Sequence, residues 1–440
     1  MQLRHGASML LKSRAVSRPS VFSPCSDCFR AASLDLRLRR QRAAYYHNTP
    51  RRDSAWAAAV QVAGNMVTNA VTKATKGEMA IDPLRIVAKE MKFLTGNIRQ
   101  LLGSGHPSLD RAAKYYTQAE GKHMRPMIVL LMSRATALCP KTPEILSASQ
   151  NQIDTSISPA NVLNDSNPSN SLTTGFSSQP ESTESDILPS QRRLAEITEL
   201  IHTASLLHDD VIDHSVARRG SPSANLEFGN KMAVLAGDFL LGRASVALAR
   251  LRNAEVVELL ATVIANLVEG EFMQLKNTKR DERNPKWSED ALTYYLEKTY
   301  LKTASLISKS CRAAALLGRG DATTVEAAYA YGKNLGLAFQ LKELGKPAGA
   351  DLELGLATAP LLFAWKTNPE LGALVGRKFE QEGDVTRARE IVQQSDGIEQ
   401  TRALAEDYCT QAIAALATFP DSDAKDGLIE MAMKTLQRKK

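Results

Sequence analysis

Three aspartates and two arginines within one short stretch are spaced to bind a divalent cation and a diphosphate. Asp209 and Asp213 are four residues apart, so on a helix their carboxylates lie on one face, with Asp210 at its rim. Carboxylates this close repel each other unless a cation lies between them. Proteins hold Mg²⁺ with one or two carboxylates plus phosphate oxygens. Arg218 and Arg219 follow, and guanidinium groups match phosphate oxygens.

A solvated charged turn is the simpler interpretation of the same aspartates. The run from Ile201 to Leu207 before them is almost wholly uncharged, so the carboxylates end an apolar helix. Acids at the end of a buried helix carry a desolvation penalty that a bound cation would offset. The flanks therefore favour a metal site with Asp209 and Asp213 as ligands.

Basic and polar residues elsewhere predict further phosphate contacts. Lys122 and Arg125 are three apart beside a helix start, so both can reach one phosphate group. His202 lies two turns before the first aspartate on the same face and could donate to a diphosphate, although a core histidine with a backbone partner is the alternative. Lys302 and Thr303 sit within an apolar run, which favours a cavity over the surface.

Helical periodicity predicts an all-α architecture, a large helical bundle. The chain has 440 residues, 43% of them hydrophobic and rich in Ala and Leu, which suffices for a sizeable core. No alternating β pattern of any length occurs. We expect one helical domain over 81–440.

A segment at about 147–189 interrupts this domain with a different composition. Ser, Asn, Thr, Pro and Gln dominate it, so it cannot bury enough apolar surface to offset its ordering entropy. An amphipathic helix resumes at Arg192 and leads into the aspartates. We therefore predict a disordered insertion within one domain, not a linker between two.

The positive net charge belongs to the N-terminus. Residues 1–52 hold ten Arg and one Lys against two Asp, a balance of +9, so the rest of the +7 chain carries −2. That balance disfavours a nucleic-acid partner. A segment rich in Arg, Ser and Ala and poor in acids is typical of a mitochondrial transit peptide, cleaved here near Arg42 to Arg52; a generic disordered basic tail is the alternative.

Cysteine and hydropathy patterns narrow the class further. Five scattered cysteines, an odd number, argue for reduced thiols. Cys25 and Cys28 have the spacing of a zinc or redox pair, but no second ligand pair accompanies them. No run of eighteen or more apolar residues occurs, so we expect no transmembrane helix.

In their order along the chain, these motifs resemble the trans-isoprenyl diphosphate synthases, especially the mitochondrial long-chain polyprenyl (hexaprenyl- or solanesyl-type) synthases of ubiquinone biosynthesis. The resemblance covers roughly residues 84–440 without the Ser-rich insertion. Six motifs carry it: Gly121-Lys122-x-x-Arg125-Pro126, His202-x₆-Asp209-Asp210-x-x-Asp213-x₄-Arg218-Arg219-Gly220, Gly237-Asp238-Phe239-Leu240, Lys302-Thr303, Gly336-x-x-Phe339-Gln340 and Gly345-Lys346-Pro347-x-x-x-Asp351. The family fold is a helical bundle around a central cavity.

The resemblance implies a role for each matching residue. Isopentenyl diphosphate would be held by Lys122, Arg125, His202 and Arg219. Mg²⁺ on the allylic diphosphate would be bound by Asp209 and Asp213, helped by Arg218, Lys302, Thr303, Gln340 and Lys346. The implied catalytic set is Asp209, Asp210, Asp213, Arg218 and Lys302.

The resemblance also implies the reaction and its setting. Isopentenyl diphosphate units would be added to an allylic diphosphate primer to make the polyprenyl side chain of ubiquinone. A homodimer is expected, with a heteromer as the alternative. The expected location is the mitochondrial matrix or the periphery of the inner membrane, with peripheral membrane contact for release of the apolar product.

Two small residues under the aspartates predict a long product. Ala204 and Ser205 lie five and four residues before Asp209, about 6–7.5 Å deeper along a helix. Neither closes the tunnel with an aromatic ring, so a growing chain could pass between helices.

The sequence departs from the family after Gln340. The family carries a second D-D-x-x-D motif there, whereas this chain runs directly into Lys342-Glu343-Leu344-Gly345-Lys346, and Glu343 is a poor substitute. Losing that carboxylate set can slow the reaction by many orders of magnitude. A missing coding segment, which the intact flanks favour, an impaired or inactive partner subunit, and an unforeseen substitution are the three explanations.

Overall fold

The computed structural model describes residues 82–118, 123–142, 186–218, 220–275, 284–344, 352 and 355–437. All of them belong to the unit Ala58–Lys440; the other unit, Met1–Ala57, lies outside the described residues. The predicted transit peptide, most of the predicted insertion, Lys122, Arg219 and Lys346 also lie outside them. The proposed domain boundaries therefore stay a prediction.

Helices form nearly all of the described structure, as the sequence predicts. In chain order they are α1 (Pro83–Ile86), α2 (Ala88–Leu101), α3 (Pro107–Gln118), α4 (Met124–Ala137), α5 (Pro189–Ile212), α6 (Ala224–Phe228), α7 (Asn230–Arg250), α8 (Ala254–Gln274), α9 (Glu289–Thr299), α10 (Ser305–Leu317), α11 (Ala322–Leu344), α12 (Ala359–Thr367), α13 (Glu370–Gly376), α14 (Asp384–Gln394), α15 (Gly397–Ala415) and α16 (Asp423–Gln437). A π-helical turn (Tyr300–Ala304) joins α9 to α10, and a 3₁₀ turn (Leu416–Thr418) follows α15.

The central helix is α5, which carries the aspartates at its C-terminal end. Nearly every side chain from Ser190 to Ile201 is buried, and α5 packs against α4, α7 and α10. A helix that is buried on all sides must satisfy its polar groups internally. Thr198 and Ser310 share a hydrogen bond of 3.0 Å, for example, which ties α5 to α10. The end of α5 is thus fixed by the core.

A second core cluster surrounds the fully buried Trp365 of α12 and includes residues of α13, α14 and α15. Between this cluster and the core around α5 lies α11, which packs against both α10 and α15. Tyr331 of α11 is fully buried, and its hydroxyl donates to the backbone oxygen of Leu428 in α16 at 2.8 Å. The helix that carries Gln340 is therefore anchored along its length.

One helix differs from the hydropathy expectation. By length and composition alone, α7 could cross a membrane, with a mean hydropathy of 1.5. Charged residues interrupt the apolar run of α7, which is why the sequence predicted no transmembrane helix there. Ala233, Ala236, Leu240 and Ala244 of α7 are buried in the core cluster that includes α5, which is the behaviour of a core helix.

Two local features have no counterpart in the sequence prediction, which treated Ser288–Leu317 as continuous helix. In the π-helical turn, the Ser305 N–H donates to the Tyr300 carbonyl, five residues back. A two-stranded hairpin, β1 (Ala217–Arg218) and β2 (Ser221–Pro222), follows α5. Both features carry residues of the predicted site.

Candidate active site

The end of α5 separates two neighbouring aspartates. Asp209 is half-buried and Asp213, the C-cap residue, is exposed, whereas the Asp210 carboxylate is completely buried. Successive helical residues point about 100° apart. The helical spacing predicted Asp210 at the rim of the metal-binding face, and this prediction is wrong. Its carboxylate instead lies inside the protein.

A buried hydrogen-bonded cluster holds Asp210. Its carboxylate accepts from Arg218 Nε at 2.9 Å and Nη2 at 2.6 Å, and from the Tyr116 hydroxyl of α3. The Tyr116 oxygen in turn accepts the Ala224 N–H at 2.8 Å. Burial and the neighbouring Asp210 raise the pKa of Tyr116 to about 12, so Tyr116 stays a donor at neutral pH. The cluster joins α3, α5, α6 and the hairpin.

The hairpin carries Arg218 beyond the end of α5. Gly220 adopts a φ of +79°, a left-handed conformation that favours glycine, and lets the two-residue turn close. Arg218 keeps 27% of its side chain exposed although Asp210 holds its guanidinium. The salt bridge therefore aims Arg218 without removing it from solvent.

Asp209 lies among charges of both signs. Its burial, together with the charges of Glu271 and Asp213, raises the pKa of the Asp209 carboxyl to about 7, while Lys302 and Arg218 act in the opposite direction. An ionised carboxylate is thus disfavoured there in the protein alone. A cation at this point would remove the penalty.

The wall opposite α5 is built from α8, the π-helical turn and α11. Lys302 Nζ donates to Glu271 Oε1 and Gln274 Oε1, both at 2.6 Å. The next residue, Thr303, donates from its hydroxyl to Gln340 Oε1 of α11 at 3.4 Å. The turn thereby brings a cation and a hydroxyl to one site.

A second pair lies deeper along α5. Arg125, in the first turn of α4, donates from Nη1 to His202 Nε2 at 2.8 Å. A guanidinium cannot accept, so the N–H of a neutral His202 ring lies on Nδ1. His123, the N-cap of α4 with a φ of 39°, lies 3.1 Å from Glu199 Oε1 of α5. These contacts fasten the start of α4 to α5.

The structure thus brings the described candidates together in three groups. In the first, Asp209 lies near Asp213 and Lys302, and Thr303, the residue after Lys302, bonds Gln340. In the second, Asp210 pairs with Arg218, and in the third, Arg125 pairs with His202. The roles assigned to them stay predictions. Sequence reasoning missed Tyr116 because it lies 94 residues from its partner Asp210, and no local pattern marks such a contact.

The number of carboxylates at the end of α5 fits Mg²⁺. Within the described ranges, no three His, Cys, Asp or Glu side chains form a ready cluster for a metal ion. Mg²⁺ needs only one or two carboxylates, since waters and substrate phosphates complete its shell. Two aspartates that repel each other at the mouth of a half-buried site meet that requirement.

A mostly apolar cavity of about 320 Å³ lies between the ends of α1, α4, α11 and α16. Its lining includes Met124, Phe339 and Met431, and a smaller cavity of about 30 Å³ beside it reaches Arg125. The apolar space therefore adjoins the Arg125–His202 pair and not the aspartates.

An all-α bundle with a carboxylate pair, facing cations and a second basic pocket defines the class of prenyl diphosphate synthases. Residues 171–392 match the polyprenyl synthetase family, and the chain belongs to that family. It is 72% identical to the probable mitochondrial hexaprenyl pyrophosphate synthase of Neurospora crassa, with all of both chains covered. It is 45% identical to the mitochondrial hexaprenyl pyrophosphate synthase of Saccharomyces cerevisiae, over 88% of this chain and 95% of that one.

Solved structures agree with the fold. A polyprenyl synthase from Caulobacter crescentus, complexed with calcium and isoprenyl diphosphate, matches with a TM-score of 0.63 and 29% identity, over 81% of this chain and 97% of that one. An Arabidopsis medium/long-chain prenyl pyrophosphate synthase matches with a TM-score of 0.57 and 34% identity, over 82% and 100%. The all-α fold is therefore confirmed.

These likenesses confirm several further expectations. The chain is a prenyl diphosphate synthase, a transferase, and the mitochondrial location agrees with that of its relatives. The alignment with the Neurospora crassa protein runs over 461 positions, 21 more than this chain has residues. That relative therefore has residues at places where this chain has none.

Neighbouring aspartates should respond in opposite ways to the same substitution. Asp210→Asn removes the buried partner of Arg218 and should lower the free energy of unfolding by about 2–3 kcal/mol. Asp209→Asn relieves repulsion by Glu271 and Asp213, so the protein in EDTA should keep or gain stability. Urea denaturation of both variants measures this, and equal losses would contradict the division between the two aspartates.

Proposed function

We propose that this chain is a Mg²⁺-dependent trans-polyprenyl diphosphate synthase that makes the long polyprenyl side chain of ubiquinone. The observation that carries the proposal is the arrangement along α5. At its end Asp209 lies near both Asp213 and Lys302, and the Arg125–His202 pair lies two turns deeper. The site with the aspartates suits a metal-bound diphosphate, and the site with Arg125 and His202 suits a diphosphate without metal.

The deeper site would hold isopentenyl diphosphate. Arg125 and His202 are already paired, so their donors are oriented before substrate arrives. Lys122 and Arg219 are proposed to complete this pocket, and both adjoin elements that the described contacts fix: the start of α4 and the hairpin.

The outer site would hold the allylic diphosphate. Asp209 and Asp213 are the proposed Mg²⁺ ligands; when bound, the metal neutralises charge on the leaving diphosphate. Arg218, Lys302, Thr303 and Gln340 would hold its oxygens, with Lys346 as a further contact. Charge that develops on the leaving group then meets donors whose positions Asp210, Glu271 and Gln274 fix.

The reaction joins the two substrates in a dry pocket. As the allylic C–O bond breaks, the double bond of isopentenyl diphosphate attacks the allylic carbon. A proton is then lost from the adduct, and the released diphosphate is the proposed acceptor. The residues of α5, α8 and α11 supply position, charge and exclusion of water.

A catalytically impaired subunit is the second candidate, and one observation favours it. The second acidic motif of the family is absent from the sequence after Gln340. A relative that is 49% identical is a decaprenyl-diphosphate synthase subunit 1 of Schizosaccharomyces pombe.

Labelled isopentenyl diphosphate distinguishes the candidates. With Mg²⁺ and an allylic primer, the purified protein should incorporate label, and EDTA or Asp213→Ala should reduce the rate at least a hundredfold. Absence of incorporation at high protein concentration would support the subunit. Sequencing the transcript across codons 335–350 shows separately whether coding sequence is missing.

Product length should depend on the helix below the aspartates. Ala204 is completely buried and Ser205 is half-buried, one turn deeper than Asp209. Ala204→Phe should shorten the main product because the ring blocks passage between helices. Chromatography of the dephosphorylated products measures chain length. Ser205→Thr, a smaller change at the neighbouring half-buried residue, should change it much less, and unchanged length in Ala204→Phe would contradict the tunnel.

A homodimer through α7 and α8 is the proposed assembly. The sequence of α8 is rich in apolar residues, yet Val268 and Phe272 are 52% and 68% exposed, and Leu235 on the adjacent α7 is 56% exposed. An apolar patch of this kind marks an association surface. The same surface could take a second, different subunit. We also propose contact with a membrane surface during product release. This proposal rests on the apolar chemistry of the product alone.

Light scattering tests the assembly. The wild-type protein should be a dimer, and Val268→Asp should be a monomer, because burying an unpaired charge in the interface costs several kcal/mol. Leu138→Asp, at a 57% exposed leucine after α4, is the control and should stay dimeric. A monomeric wild-type protein would favour the heteromer.

A further inference from the structure

Two side chains of α8 hold the ammonium group of Lys302. Glu271 and Gln274 lie three residues apart on one face of that helix, and each accepts from the Lys302 ammonium at 2.6 Å. An ammonium group has three donors. Two are used by these contacts, which leaves one for a substrate oxygen.

Gly270 lets the π-helical turn lie directly on α8. A methyl group at Gly270 would come within 2.7 Å of Lys302 Cγ and 2.9 Å of the Lys302 backbone nitrogen. Backbone within a packed helix cannot move away alone, so the whole turn would have to shift. The close approach is what brings the ammonium within reach of Glu271 and Gln274.

A second glycine fixes the opposite side of the same turn. A methyl group at Gly336 of α11 would lie 2.6 Å from Ala304 Cα. The turn (Tyr300–Ala304) thus lies close against glycines of two helices, and π-helical turns are rare and frequently found at functional sites. This close packing on both sides restricts the backbone of Lys302.

We propose that Gly270, Glu271 and Gln274 are positioning residues that act through Lys302. They hold its ammonium at the allylic diphosphate site, and Glu271 serves as its counter-ion until the diphosphate arrives. The inference rests on the proposed function and adds three residues to it, none of which needs to touch the substrate.

A binding measurement tests the positioning of Lys302 without relying on catalytic turnover. The probe is farnesyl S-thiolodiphosphate, an allylic diphosphate analogue that resists ionisation, titrated calorimetrically into each protein with excess Mg²⁺. Lys302→Ala should bind the probe about tenfold more weakly than wild type, and Gly270→Ala should lose a similar factor because the turn is displaced.

Two glycine variants serve as controls. Gly242→Ala, in α7, meets nothing within 4 Å and should bind like wild type. Gly332→Ala, in α11, would press on Ser308 Cα at 2.7 Å, so it introduces a similar clash beyond the turn. It should lower the melting temperature and leave the affinity within twofold of wild type.

Gln274→Leu keeps a similar side-chain volume and removes one acceptor of the Lys302 ammonium. It tests the inference even if Gly270→Ala does not fold. It should weaken binding severalfold in the wild-type background and have no further effect in Lys302→Ala, because it acts through that lysine. Wild-type affinity in both Gly270→Ala and Gln274→Leu, or equal losses with and without Lys302, would overturn the inference. A wild-type protein that fails to bind the probe would overturn the proposed function itself, and the inference with it.

Discussion

Repulsion between carboxylates at the end of α5 is the constraint on which the site depends. Asp209 comes close to Asp213 and to Glu271 of the facing helix, and Lys302 and Arg218 offset part of this negative charge. Such an arrangement is unfavourable in the protein alone. It persists because α5 is buried along most of its length and cannot turn its end away from the facing wall.

The same rigidity lets adjacent residues do different work. Asp209 faces the site, whereas Asp210, one residue on, is buried with Arg218 and Tyr116. The buried carboxylate aims the arginine, and the half-buried one is left for a cation. Deeper on α5, His202 holds Arg125 in the same way. Among the described residues, Arg218 and Arg125 are thus held by side chains of α5, and Lys302 is held by side chains of α8.

Local spacing predicted the content of the site but not its partners. The i and i+4 spacing of Asp209 and Asp213, after an uncharged run, was enough to place a carboxylate pair at a helix end. The contact of Tyr116 with Asp210 joins residues far apart in the chain, so it depends on tertiary packing. The π-helical turn at Lys302 could not be predicted either, because it packs against Gly270, 32 residues away in the chain, and no local pattern marks such packing.

The fold class followed from helical periodicity, and the family from six ordered motifs, whereas the membrane-like composition of α7 shows where composition alone misleads. That helix is apolar because it is in part core and in part exposed apolar surface. Because the second acidic motif is absent from the sequence, metal binding at the proposed site depends on Asp209 and Asp213.

Crystals grown with Mn²⁺ in place of Mg²⁺ and with farnesyl S-thiolodiphosphate test that point most directly, because manganese is located by its anomalous scattering. We expect a manganese peak about 2 Å from carboxylate oxygens of both Asp209 and Asp213, with the diphosphate between that ion and the Lys302 ammonium. A structure with bound analogue but no manganese at these two aspartates would contradict it.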